Sequence, residues 1–455
     1  MHSTQRCFLA SGCSTHCKYA LRAPRVENPA GHSTSPPSRR NPVRYEGYRL
    51  RPPLRTRAVD WDMLRGTVAF LVLIAFAVLA TELRNILVRG GRREPAMEGI
   101  SFLAVGLALG GRGLGLFPDD LLVSMRVVVL FGLAWIGLVF GVQVELRIIR
   151  RLLPWQRWAG WLTPAAIGLP VIIGALMAGL PTALSLGLGA LAMAVSPSPL
   201  EGLARSRSIR DRSAVRLLKL VMAFAGLPAV IVFAVAAAFA SPLAAASGGG
   251  IPTWQLVMVT AAVGALVGYA LVVLARGVRE HIRLLTLAGG SMCLVAGAAA
   301  VLGLSALPAA ACAGAVLVNR SVFPNRMLRV AHSLERPMLV ALLVLVGASW
   351  KGASFSLITF VLLTVVRAVA AWIAGEFLQG IARSRRVVSR TAGLGLGLVP
   401  QGELALGLLV AIVSFFPDTS GILEAVVAAI IVNNIVGAWW MRRWLAGTDE
   451  DVSEP

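Results

Sequence analysis

The chain has 455 residues, 57% hydrophobic and only 14% charged, with mean hydropathy +0.75 and a formal net charge of +21. Soluble globular chains carry about 25% charged residues, so one membrane domain fits better than two or three soluble ones. The positive balance points to basic loops of a membrane protein rather than to nucleic acid, because no basic stripe lies on a soluble module.

Residues 1–61 are rich in Arg, Ser and Pro, with ten Arg and one Lys before Asp60. They lack helical periodicity and read as a disordered basic tail. Such a tail reads as an upstream translation artefact, with the true start at Met63, as a targeting segment poor in acid, or as the sign of one miscounted span. Cys7, Cys13 and Cys17 fall in it, while Cys293 and Cys312 fall in apolar spans. That distribution gives no disulfide framework. No metal site and no cofactor is expected, since Cys13, His16 and Cys17 form a chance grouping in a tail.

Residues 62–445 read as one transmembrane domain. Stretches of about 20 apolar residues cross a bilayer, and they recur near 64–87, 98–117, 121–144, 156–178, 182–200, 215–240, 253–275, 284–302, 305–319, 335–350, 354–378, 392–413 and 421–441. An all-α polytopic membrane protein of about 13 transmembrane helices is expected. Alternate loops collect Lys and Arg, while FPDD, GLP, SPLAAASGGGIP, GLS, WKGAS and FFPDTSG on the opposite side contribute only Lys351. This asymmetry puts the C-terminus, with its acidic tail at 446–455, in the cytoplasm of a cell (inner) membrane protein. It also puts the basic N-terminal tail outside, against the same rule.

The second to sixth spans and the ninth to thirteenth form two five-helix units that cross the membrane in opposite senses, as inverted repeats do. The fourth helix of each unit is interrupted. In the first unit it reads PTALSLGLGALAMAVSPSPLEG, broken at Pro197 and Pro199. In the second it reads AGLGLGLVPQGELALGLLVAIV, broken at Pro400 and Gly402. Breaks at matched positions are the best sequence pointer to a transport site, since unwound carbonyls and half-helix ends offer partial charges to an ion. Glu403 follows the second break. An ionised side chain near mid-membrane costs about 2.5–3.5 kcal/mol on insertion scales, so its presence marks an ion or substrate pathway.

Four segments carry a family resemblance: ISFLAVGLALGGRGLGLFPDDLL (100–122), LFGLAWIGLVFGVQVELRIIRR (130–151), MAVSPSPLEGLARS (193–206) and LVPQGELALGL (398–408). Together they resemble the monovalent cation:proton antiporter, or sodium/hydrogen exchanger, superfamily across residues 64–445. The resemblance implies a homodimer with discontinuous helices. In each protomer the fourth to sixth and eleventh to thirteenth spans would form a mobile core, moving against a scaffold. One departure stands out. The helix after the first break, RLLKLVMAFAGLPAVIVFAV, has Ala225-Gly226 where such antiporters carry an ion-binding aspartate. Arg367 matches the basic residue that normally balances that acid, and it is expected to pair with Glu403.

The expected function is therefore secondary transport: alternating-access exchange of Na+, Li+ or K+ for protons across the lipid bilayer. Glu403 is the proton-linked carboxylate, with Ser196, Ser198 and Gln401 as further oxygen ligands. Asn433 and Asn434 are candidates to line the same cavity, although helix–helix hydrogen bonding explains them equally well. His281 and His332 fall in cytoplasmic loops, so no histidine relay is expected. The alternatives are a non-exchanging sensor or partner subunit on this fold, or a carrier of another solute. No constellation of enzyme chemistry occurs in the sequence.

Overall fold

The computed structural model describes residues 98–450, except 112, 118, 196–211, 244–250, 279, 322, 351–353, 386–393 and 417–420. The expected tail at 1–61, the first expected span and the SPSP break (Ser196, Pro197, Ser198, Pro199) lie outside the described residues. Among those described, regular structure is helical apart from one isolated bridge between Gly110 and Phe117. Among the described residues, eight helical stretches are long and apolar enough to cross a membrane, and three more apolar helices are shorter.

The helices that position the site are, in chain order, α1 (Glu98–Leu109), α2 (Arg126–Val142), α3 (Leu146–Arg151), α4 (Pro154–Met177), α5 (Thr182–Met193) and α6 (Arg212–Phe239). They continue with α7 (Thr253–Ala275), α8 (His281–Val301), α9 (Ala306–Arg320), α10 (Pro324–Ser333) and α11 (Glu335–Ala348). Next, α12 (Leu357–Val361) runs through a π-helical turn, Leu362–Val366, into α13 (Arg367–Ser384). A 3-10 turn (Leu394–Leu398), α14 (Glu403–Phe415) and α15 (Ile422–Glu450) complete the order.

One expectation needs adjustment. The span expected over 98–117 stops as a helix at Leu109, because the glycines that follow fold back on it. Leu114 N–H donates to Ala108 O at 2.7 Å, and Gly115 adopts φ +65, a conformation that a residue with a Cβ rarely takes. At the other end, α15 carries helical backbone to Glu450.

Glycine sets how closely the bundle packs. A Cβ on Gly141 of α2 would lie 2.1 Å from Ala311 O, and one on Gly314 of α9 would lie 2.5 Å from Leu138 O. A Cβ on Gly106 of α1 would lie 2.2 Å from Val344 O, and one on Gly347 of α11 would lie 2.2 Å from Leu103 O. At both crossings backbone rests on backbone, which only glycine permits; small residues are the usual means of close helix association in membranes. The Trp135 indole of α2 donates to Ala331 O of α10 at 2.9 Å and so ties that amphipathic helix to the bundle.

Gly141→Val forces α2 and α9 apart and should lower the stability of the detergent-purified protein by about 1–3 kcal/mol, the usual cost of overpacking. Gly290→Ala on α8, where a Cβ meets nothing within 4 Å, should leave the thermal midpoint unchanged. Thermal denaturation of the two variants side by side makes the comparison.

Candidate functional site

Two helical segments stop inside the bundle, and each stop leaves carbonyl groups without an intrahelical donor. The helix α5 ends at Met193, and Ala194 turns to an extended conformation (φ −71, ψ 109). The second interruption runs from Val399 to Gly402, between the 3-10 turn and α14. Hydrocarbon offers such carbonyls no partner, so protein must supply one.

Arg367 supplies it. The side chain is 0% exposed. Its Nε donates to Ala192 O at 2.9 Å and its Nη1 to Val399 O at 2.6 Å. Longer contacts run from Nη2 to Ala194 O at 3.4 Å and to Leu398 O at 3.5 Å. One guanidinium thus bridges the carbonyl ends of both interruptions. Its planar fork of five donors suits several fixed acceptors, and the negative end of the α5 dipole faces its charge.

The two amides and the glutamine of the prediction come together beside it. Gln401 is 2% exposed, Asn433 2% and Asn434 7%. The Gln401 backbone N–H donates to Asn434 Oδ1 at 2.8 Å, and Gln401 Nε2 donates to Leu191 O of α5 at 3.0 Å. Asn433 Nδ2 donates to Gln401 Oε1 at 3.1 Å and to Leu363 O, in the π-helical turn, at 2.8 Å. A buried network of this kind fixes one arrangement when every member is paired. Pro400 fits because Gly437 of α15 faces it; a Cβ there would lie 2.9 Å from the proline ring.

Glu403 does not join this cluster, and the expected Arg367–Glu403 pair is not the arrangement found. Arg367 is buried against carbonyl oxygens, whereas Glu403 opens α14 as an exposed residue. The physical reason is the helix break: four carbonyls already occupy the guanidinium, and the start of α14 turns the next side chain outward. His332, expected in a loop, lies on α10, and its Nδ1 is hydrogen-bonded to Glu335 at the head of α11. The surroundings of Ala225 and Gly226 are apolar. Ala225 is 1% exposed, and a Cβ on Gly226 would rest 3.4 Å from Leu404 and 3.8 Å from Phe140.

The π-helical turn and the Leu191 and Leu363 carbonyls went unnoticed in the sequence, because a carbonyl has no residue-type signature. π-helical turns inside α-helices are frequent at functional sites. Among the described residues no group of His, Cys, Asp and Glu could hold a metal ion.

Residues 91–446 match the model of a family described as "Sodium/hydrogen exchanger, transmembrane". Among solved structures, the sodium proton antiporter MjNhaP1 from Methanocaldococcus jannaschii at pH 8 is similar, with TM-score 0.60 and 15% identity over 84% of this chain and 99% of that one. An electron-microscopy structure of the same antiporter is similar with TM-score 0.55 and 15% identity, covering 85% of this chain and 99% of that one. At such identity the likeness is one of fold. No curated protein matches the sequence.

Arg367→Met keeps the length of the side chain and strands the carbonyls it serves. Each unsatisfied buried group costs about 1–3 kcal/mol, so at least about 3 kcal/mol of stability should be lost. Arg367→Lys, which cannot reach both interruptions with a fork, should fall between Met and wild type. Chemical or thermal unfolding in detergent measures both; a Met variant as stable as wild type would show that the bridge is dispensable.

Proposed function

We propose, for a chain that belongs to the sodium/hydrogen exchanger family, that it exchanges a monovalent cation for protons across the membrane by alternating access. The observation that carries the reading is the Arg367 bridge between two interrupted segments. Interrupted helices that meet deep in a bundle present half-helix ends and unwound carbonyls to an ion. Arg367 neutralises part of that negative field permanently. A carboxylate that gains and loses a proton then supplies the variable charge, and Glu403 has this role in our reading. Its position at the start of α14 leaves it open to solvent or to a polar vestibule, as proton exchange requires. Gln401, Ser196 and Ser198 serve as oxygen ligands for Na+, Li+ or K+, and Asn433 and Asn434 hold Gln401 in place.

Two matched crossings support inverted repeats. Gly106 of α1 meets Val344 and Gly347 of α11, and Gly314 of α9 meets Leu138 and Gly141 of α2. In both cases a glycine seats on the partner's glycine and on the carbonyl three residues before it. Repeat units that include α1–α2 and α9–α11, related by inversion, produce this correspondence. We extend the same reading to a homodimer, a cytoplasmic C-terminus and a transmembrane domain flanked by residues 1–61 and 446–455.

The second reading is a transporter fold that no longer exchanges ions and acts as a sensor or partner subunit. Gly226 favours it, since its surroundings, Leu404 and Phe140, are apolar. A carrier of another solute is the third. Reconstituted liposomes with an imposed pH gradient separate the first two. Added sodium, lithium or potassium should trigger a proton flux that Glu403→Gln abolishes and that Arg276→Gln, at an exposed residue just past α7, leaves intact. Absence of cation-dependent flux with all three ions in the wild-type protein would favour the non-exchanging reading.

A further inference from the structure

At the head of α4, Pro154, Arg157, Trp158 and Trp161 line an open cavity of about 380 Å3. Their spacing of three, four and seven residues puts them on one face of the helix. Arg157 is exposed, Trp158 is 66% exposed and Trp161 38%. Directly before them comes α3, which has no buried residue and carries Arg147, Arg150 and Arg151 exposed. Four exposed arginines thus gather within residues 147–157, with Glu145 as the nearest acid along the chain.

Below the cavity the exposed face of α4 is apolar. Trp158, Leu162, Leu169, Ile173 and Leu176 are all exposed. At about 1.5 Å per residue, this stripe extends about 27 Å, close to the ~30 Å of a bilayer's hydrocarbon core. The helix therefore offers a cation and two indoles at the level of the headgroups, and a dry surface along the acyl chains. Tryptophan favours that interface because its ring is apolar and its N–H is polar. A guanidinium binds phosphate oxygens in bidentate fashion.

We infer that this cavity is a binding site for an anionic phospholipid of the surrounding bilayer. Arg157 holds the phosphate, Trp158 and Trp161 pack on the glycerol and upper acyl carbons, and the α4 stripe receives one chain. The arginines of α3 add long-range attraction for negatively charged headgroups. Charge separates this occupant from a zwitterionic lipid, and the apolar stripe separates it from free phosphate. The lipid would contact α4, which itself packs against α5 and α13, two of the helices joined by the carbonyl bridge.

The test uses the full-length protein in phosphatidylcholine nanodiscs, titrated with phosphatidylglycerol brominated on its acyl chains, with tryptophan fluorescence as readout. Saturable quenching is expected, and Trp158→Phe should remove a distinct share of it. Arg157→Gln should raise the half-saturating fraction of phosphatidylglycerol about fivefold. Arg157→Lys should recover part of that loss, and brominated phosphatidylcholine should quench without saturating. Equal quenching by the two lipids, or an Arg157→Gln curve that overlays the wild type, would overturn the inference. Reversal by inorganic phosphate at the same concentration as the lipid would also overturn it, since the site would then recognise phosphate alone. Quenching that depends on protein rather than lipid concentration would assign the face to a second copy of the chain instead.

Discussion

The arrangement depends on one electrostatic constraint: the buried guanidinium of Arg367 must satisfy carbonyls from two helical segments that stop inside the protein. A carbonyl without a donor in a membrane interior costs several kcal/mol, and an arginine without acceptors at that depth costs more. Neither is stable alone. Together they cancel, and the cancellation fixes α5, the 3-10 turn and α13 relative to one another. The amide network of Gln401, Asn433 and Asn434 extends this to α15, while Asn433 and the Leu363 carbonyl link it to the π-helical turn.

The bundle around this junction is held by shape rather than by charge. Gly141 with Gly314, and Gly106 with Gly347, allow backbone to meet backbone. Within hydrocarbon there is no hydrophobic gain from such contact, so close dispersion packing takes its place. The polar junction is thus set among closely packed helices.

Glu403 is separated from the arginine that was expected to neutralise it. The guanidinium binds four carbonyl oxygens, whereas Glu403 is an exposed residue at the start of α14. The break that creates the carbonyl bridge also turns the next side chain outward, so the buried positive charge and the titratable negative charge occupy different environments.

The sequence by itself determined the helical membrane class, through hydrophobic runs of bilayer length, and the second interruption, through Pro400 and Gly402. It also singled out Arg367, Gln401, Asn433 and Asn434, because polar residues inside apolar runs are costly and must have partners. What those partners are was decided by tertiary structure alone. Arg367 binds carbonyl oxygens of Ala192 and Val399, residues 175 and 32 positions away, and a carbonyl is present at every position whatever the residue type. The same holds for Leu191 and Leu363, whose side chains signal nothing about the hydrogen bonds their backbones accept. Asn433 and Gln401 lie 32 positions apart, and only folding brings their side chains into hydrogen-bond contact. Side-chain chemistry is written in the sequence, whereas the geometry of exposed backbone appears only when helices break and meet.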